Sequence, residues 1–512
     1  MPIHYLNANS KQHLLKTVLP LLPMMALSGT LLPGCSNATR LAVPAQEPLS
    51  KIEHIIVIYA ENRSFDNLYG LFPHANGINQ ATPEQTTQLD HDGKPFQILP
   101  PIAAKGASPA IDAKLPNRPF QLDAPPVNLP LSTPSRDLVH SFYQNQEQIN
   151  GGKNNKFAAI SDAGGLTMGY YDGSKLPLWQ LAKEYVLADN FFMAAYGGSY
   201  INHQWLICAC TLQDSQAPEN LRAQIDANGR LKRKANSPAS AMQGPPQLLD
   251  GPFTPDGYAV NTRQPPFQPS GIKPPLAGDR HFADAEQYPL PAQTAKTIGD
   301  TLSEKNITWG WYAEGWNAAN NDGIQSPAAK RTVIYNSGDD AINFQAHHQP
   351  FNYYQRFAPG TADRARHLLD ADAFLQGIDK GELPQVAFYK PAGNVNEHPG
   401  YTDVMSGDAH IAKLIEHIKH SPVWASTAII VTYDENGGFW DHAAPPKGDR
   451  WGPGSRIPAL VISPFAKRGY IDHTAYDTTS IIKFITRRFG LQPLSGVRES
   501  VGDLSDAFDL GS

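Results

Sequence analysis

The stretch His54-Ile-Ile-Val-Ile-Tyr-Ala-Glu-Asn-Arg-Ser-Phe-Asp66 decides how this chain is read. Its apolar run, Ile55 to Tyr59, ends at an acid and an amide, Glu61 and Asn62. Far downstream, Ala428-Ile-Ile-Val-Thr-Tyr-Asp-Glu-Asn-Gly-Gly438 repeats the design. Unbroken β-branched runs mark strands covered on both faces, as in parallel sheets. Open α/β sheets carry their sites beyond the carboxyl ends of such strands. Glu61, Asn62, Asp434, Glu435 and Asn436 are therefore expected to meet in one crevice. Hard oxygen donors gathered at one point suit a divalent cation. Taken locally, Asp434-Glu-Asn-Gly-Gly438 reads equally well as a turn, and Glu61-Asn62 as a polar loop capping a helix.

A chain of 512 residues has room for one large α/β domain or two or three smaller ones. With 41% hydrophobic and 18% charged residues it is ordinary globular material rather than a disordered segment. The net charge of −6 advertises no face for nucleic acid. The 45 prolines and 41 glycines imply long ordered loops on a scaffold, not a helix bundle.

Residues 1–35 read as an export signal. Lys11 and Lys16 flank an apolar stretch, Thr17 to Leu32, that Pro20 and Pro23 interrupt. Leu32-Pro-Gly-Cys35 is similar to a lipoprotein box, with Cys35 as the lipidated residue, although Pro33 is unusual there; an ordinary signal peptide is the alternative. Either gives an exported protein: periplasmic, secreted or tethered to the outer membrane. Of the remaining cysteines, Cys208 and Cys210 are expected as buried free thiols.

Strands alternate with helices along the chain, which predicts a three-layer α/β/α sandwich around a mostly parallel sheet. After a tether over 36–50, one domain is expected over 51–490, with a C-terminal tail over 491–512. Pro-rich insertions interrupt it near 73–135 and 213–280. A helix is predicted over Ser135–Ile149, with Ser135 as N-cap and His140 on it. Further helices are predicted over Pro177–Tyr185, Thr297–Glu304, Asp408–His420 and Thr478–Phe489. Strands are predicted over Ile52–Tyr59, Thr308–Tyr312, Val386–Tyr389, Ala428–Tyr433 and Ala459–Ser463.

Ser199 follows two glycines in Gly197-Gly-Ser-Tyr-Ile-Asn-His203, a tight turn that opens a helix. Free N–H groups at a helix start attract phosphate. A hydroxyl there becomes a nucleophile if a base or cation activates it; the alternative is an N-cap serine. No Gly-x-Ser-x-Gly elbow is present. His140 lies on the helix predicted from Ser135 and His203 one helical turn after Ser199, His347 and His348 stand together in Phe344-Gln-Ala-His-His-Gln-Pro-Phe351, and His398 follows a predicted strand by one short loop. They are candidates to hold phosphate, protonate a leaving oxygen or bind metal.

These segments together resemble the bacterial acid phosphatase and phospholipase C phosphoesterases of the alkaline-phosphatase-like superfamily. The matching pieces are Glu61-Asn-Arg-Ser-Phe-Asp66, Asp189-Asn-Phe-Phe192, Gly197 to His203, Asn396-Glu-His-Pro-Gly400 and Tyr433-Asp-Glu-Asn-Gly-Gly-Phe-Trp-Asp-His442. The resemblance implies one metal ion (zinc, calcium or magnesium) held by Glu61, Asn62, Asp434 and Glu435. It also implies Ser199 as both ligand and nucleophile, and a phosphate pocket lined by His140, His347, His348 and His398. His203 is expected to join the substrate-binding set, and His348 or His398 to protonate the leaving group. Phospholipase C members often carry threonine at the nucleophile position, so serine tilts the expectation toward phosphomonoesters. Phospholipid head groups remain the second substrate class, and a non-catalytic surface lipoprotein the remote reading. Neither nucleic acid nor a protein partner is implied.

Overall fold

The computed structural model describes residues 48–105, 108–338 and 341–511. The expected signal and Cys35 lie outside them. Eight strands form the main sheet: β1 (His54–Ala60), β2 (Val186–Ala188), β3 (Trp309–Ala313), β4 (Leu368–Asp370), β5 (Val386–Lys390), β6 (Thr427–Tyr433), β7 (Ala459–Ile462) and β8 (Tyr470–Asp472). Their order is β8-β2-β7-β6-β1-β5-β3-β4. Only β7 runs against its neighbours. Every residue of β3, β5, β6 and β7 is buried, so helices and loops cover both faces. The architecture is α/β with a mostly parallel central sheet.

Register explains the site. In the parallel β1–β6 pair, Ala60 lies opposite Tyr433. One residue further, Glu61 and Asp434 leave the sheet side by side. On the other flank of β1, Ile58 lies opposite Tyr389, so Lys390 ends β5 beside the same exit. Three central strands thus deliver two acids and a cation to one point.

Two helices flank the site: α1 (Phe142–Ile149) and α2 (Ser199–Cys208). The helix expected from Ser135 begins seven residues later. Residues 135–141 are held extended: Gly400 N donates to the Ser135 carbonyl at 2.7 Å and Val139 N to Asp162 Oδ1 at 2.7 Å. The Phe142 amide is capped from far along the chain, by Asn261 Oδ1 at 3.0 Å. His140 therefore precedes α1 instead of lying on it. Cys208 and Cys210 form a disulfide, not free thiols. Ala209 adopts a left-handed conformation that ends α2 and folds Cys210 back. The two Cα atoms then stand 5.1 Å apart, within the range a disulfide spans.

Candidate active site

Ser199 is the first residue of α2, with Gly198 as its N-cap. Its side chain is thus free of capping duty. The Ser199 hydroxyl donates to Glu61 Oε2 at 3.2 Å and to Asn62 Oδ1 at 3.3 Å. Asn62 takes a left-handed conformation, which asparagine tolerates better than most residues, and its amide donates to Asp434 Oδ1 at 3.2 Å. Glu61, Asn62, Asp434 and Glu435 are all fully buried. Two glycines allow the close approach. Gly197 has positive φ, and a Cβ there would stand 2.7 Å from the Phe142 backbone. Gly437 also has positive φ, and a Cβ there would meet the Asn62 carbonyl at 2.2 Å. Asn202 Nδ2 holds the turn by donating to the carbonyls of Ala195, Gly197 and Gly198.

A cavity of about 150 Å³ opens over the serine. His140, Gly198, Tyr200, His347, His398 and Tyr401 line it, and Val260, Asn261 and Thr262 form one wall. Amides in the first turn of a helix lack intrahelical acceptors, so this end of α2 offers N–H groups to an anion.

The carboxylates stand at high electrostatic cost. Burial first, and the Asp434 charge second, pushes the Glu61 carboxyl well above its ordinary range, against the pull of Lys390. Burial also raises Asp434, again opposed by Lys390. Glu435 is raised by burial and then by Asp434. Asp434 Oδ2 and Glu435 Oε1 are buried without any hydrogen-bond partner. Orphaned acceptor atoms beside a serine oxygen and an amide oxygen are what a divalent cation requires, so the donor set fits one. Histidine nitrogens are also within reach: Glu61, His203 and His348 present ligand atoms mutually within 4.8 Å.

The histidines divide by position. His398 lines the cavity, with Nδ1 2.6 Å from the Pro399 carbonyl and Nε2 2.7 Å from Asn62 Nδ2. Its proton thus sits on Nδ1, and Nε2 accepts from the amide. That bond turns Asn62 Oδ1 toward the serine. His347 lines the cavity and receives the Tyr335 hydroxyl at 2.7 Å. His140 lines the cavity, with Nε2 3.8 Å from Glu435 Oε1. His348 and His203 do not line it. His348 Nε2 faces Glu61 Oε1 at 3.3 Å. His203 is fully buried and stacks on His348 at 4.8 Å. Its Nδ1 contacts the Ser199 carbonyl at 2.8 Å and lies 3.8 Å from Asp434 Oδ2. His203, expected in the substrate-binding set, does not line this cavity and packs behind the serine. Asn436 spends its amide on the Phe439 carbonyl at 2.7 Å, closing the turn.

Sequence reasoning passed over Lys390, Tyr401 and Tyr335. Lys390 is buried and donates to Glu61 Oε1 and to the Tyr59 carbonyl. Its signal was a lysine closing an apolar strand, Val386-Ala-Phe-Tyr-Lys390. Tyr401 stacks on His398 at 4.0 Å.

The molecule is thus an α/β protein with a mostly parallel sheet, whose central strands end in buried acids beside a cavity-facing serine. The chain belongs to the Phosphoesterase family, whose model matches residues 52–492, and it is a hydrolase acting on phosphoric ester bonds. It is 24% identical over 527 residues to Phospholipase C B of Mycobacterium tuberculosis, spanning 95% of this chain and 82% of that protein. It is 24% identical over 523 residues to the Non-hemolytic phospholipase C of Burkholderia pseudomallei, spanning 92% of this chain and 61% of that one. Among solved structures, a protein in the alkaline phosphatase superfamily from Vibrio parahaemolyticus superposes over 75% of each chain at 11% identity, with a TM-score of 0.32.

Proposed function

We propose that this chain is an exported, metal-dependent phosphoesterase that acts through Ser199 and a phosphoseryl intermediate. The observation that carries the reading is the Ser199 hydroxyl, 3.2 Å from Glu61 and 3.3 Å from Asn62 on the floor of a small cavity. Glu61, Asn62, Ser199, Asp434 and Glu435 would hold the ion, which when bound lowers the hydroxyl's pKa and neutralises phosphate charge.

In the first half-reaction Ser199 Oγ forms a bond to phosphorus as the bond to the leaving oxygen breaks. Glu61 Oε2 already accepts from that hydroxyl and is the nearest base for its proton. The first-turn amides of α2 stabilise the charge that builds on the phosphoryl oxygens. His140 and His347 face the cavity and are the groups placed to donate to the leaving oxygen. Of the two histidines expected in that role, His398 lines the cavity with Nε2 bonded to Asn62, and His348 faces Glu61. Water then cleaves the phosphoserine. A space of about 150 Å³ takes a phosphoryl group and leaves the alcohol near the mouth.

Phosphomonoesters are the first substrate class, because the position holds serine. The second is a phosphodiester with a lipid head group, favoured by the phospholipase C names of the 24%-identical relatives. Turnover of para-nitrophenyl phosphate against para-nitrophenyl phosphocholine separates them. In Ser199→Ala both rates should fall by about 10⁴-fold or more while the circular dichroism spectrum is unchanged. Retained activity in that variant overturns the reading.

A further inference from the structure

The hydrogen bonds that reach His347 from outside the cavity run in one fixed direction. Gly271 N donates to Gln264 Oε1 at 2.7 Å. A backbone N–H can only donate, so the oxygen of the Gln264 amide must face it. The amide nitrogen is then turned to Tyr335, and Gln264 Nε2 donates to the Tyr335 hydroxyl at 2.9 Å. That hydroxyl lies 2.7 Å from His347 Nδ1 and 3.3 Å from Gln264 Oε1. Its one proton goes to the nearer acceptor, the one not already serving Gly271. His347 Nδ1 therefore accepts, and in a neutral imidazole the proton is left on Nε2. Burial first, then the charges of Lys390 and His140, holds the His347 imidazole down to about 3, so the ring is neutral. His347 lines the cavity over Ser199, and Tyr335 does not. Nδ1 is thus spent on the protein. Nε2, which bonds no group among the described residues, is the nitrogen left for a ligand.

The parts of this relay are placed with care. Tyr335 has a φ of 50°, a left-handed backbone that a bulky residue takes only where its surroundings impose it. Here they do. The buried Asp322 carboxylate accepts from the amides of Thr332 and Val333 at 3.1 Å and of Ile334 at 2.9 Å, and Tyr335 N donates to the Phe344 carbonyl at 3.0 Å. Gly271 makes room on the other side. A Cβ there would stand 2.7 Å from the Gln264 amide carbon and 2.7 Å from the Tyr335 ring. Packing alone asks for neither an aimed hydroxyl nor this strained backbone.

We propose that Tyr335, oriented by Gln264, is a positioning residue that fixes the His347 proton on Nε2, so that this nitrogen donates a hydrogen bond to an oxygen of the phosphate ester in the cavity. This rests on the phosphoesterase reading of the cavity. It gives a role to the insertion near 213–280, which supplies both Gln264 and Gly271 as well as the wall over Val260, Asn261 and Thr262.

The test is nuclear magnetic resonance of the full chain with isotope-labelled histidine ring nitrogens, the His347 signals being assigned by their loss in His347→Asn. Wild type should carry the proton on Nε2, and its signal should move when inorganic phosphate is added. Tyr335→Phe removes only the hydroxyl. It should leave the two tautomers mixed and lower kcat/KM for para-nitrophenyl phosphate about tenfold, with Tm little changed. Gln264→Glu keeps the side-chain size but gives the tyrosine proton a carboxylate to bond. It should reverse the relay, move the His347 proton to Nδ1 and cost more in kcat/KM than Tyr335→Phe. A merely structural contact predicts no such order. A wild-type proton on Nδ1, a tautomer that neither variant changes, or a changed tautomer with wild-type kcat/KM overturns the proposal. An Nε2 proton that answers to phosphate in protein that hydrolyses no phosphate ester leaves the relay standing and sinks the phosphoesterase reading.

Discussion

Lys390 Nζ, at the carboxyl end of β5, donates at once to Glu61 Oε1 and to the carbonyl of Tyr59 at 2.9 Å. The ammonium is buried where two parallel strands end and pairs with Glu61. Removing one partner of a buried pair strands the other charge. Lys390→Met should cost about 3–5 kcal/mol in urea denaturation of metal-free protein. Glu61→Gln in the same background should recover most of that loss. Equal stability of the single and double variants would show that the pair carries no such coupling.

Metal removal should act on stability as well as rate. A ligand that binds only the folded state at ~100 times its Kd adds about 2.7 kcal/mol. Exhaustive chelation should lower the Tm of wild type and cut turnover at least about 100-fold, both regained with a divalent ion. Asp434→Asn removes a buried carboxylate oxygen that has no partner in the protein, so its Tm should not respond to chelation. A wild-type Tm indifferent to chelation and re-addition argues against a bound ion.

The central strands were legible because burial on both faces leaves a continuous apolar signature, which runs from Ile55 to Ala60 in β1 and from Ala428 to Val431 in β6. Their terminal acids could be named for the same reason. What was not legible depends on register between distant strands. Nothing local in Val386-Ala-Phe-Tyr-Lys390 says that it lies beside β1, so the role of Lys390 stayed hidden. The start of α1 was missed because its capping group is Asn261, supplied by a loop 119 residues downstream. β4 has three residues, too short for alternation to register. The histidines were found as a set, yet their facing was not, since His348 is turned from the cavity by stacking on His203.

A second buried cluster predicts a pH dependence. His442 Nδ1 lies 2.7 Å from Asp66 Oδ2 and Nε2 lies 2.9 Å from Asn76 Oδ1, so both ring nitrogens face acceptors. Arg456 pairs with Asp66 and Asp441 at 3.0 Å each. Burial opposes the imidazolium, but Asp66 and then Asp441 outweigh it and raise His442 above its ordinary value. A histidine raised in the folded state contributes stability that is complete below its unfolded pKa of about 6.5 and is lost as pH climbs through the folded value. His442→Gln should therefore cost about 2–3 kcal/mol at pH 5.5 and clearly less at pH 9. An equal cost at both values would mean that the ring is neutral throughout.

Arg63 offers the sharpest test of how the site is positioned. Its guanidinium is fully buried and clasps a single carbonyl, that of Glu397, through Nε at 3.2 Å and Nη2 at 2.9 Å. Nη1 reaches Asn67 Oδ1 at 3.4 Å, and the plane lies 5.3 Å over the Phe439 ring. Glu397 is held in a left-handed conformation, unusual for its type. Its neighbour His398 then accepts from Asn62, which faces Ser199. Arg63 thus ties the loop after β1 to the loop after β5, and the aim of Asn62 depends on both. Lysine can supply the charge but not the fork. Arg63→Lys should lower kcat about 10–100-fold, because a shift near 1 Å at a reacting group costs that much, while KM changes little. A merely structural arginine would lower the Tm and leave kcat per folded molecule intact. Wild-type kcat in Arg63→Lys would remove Arg63 from the positioning of the serine.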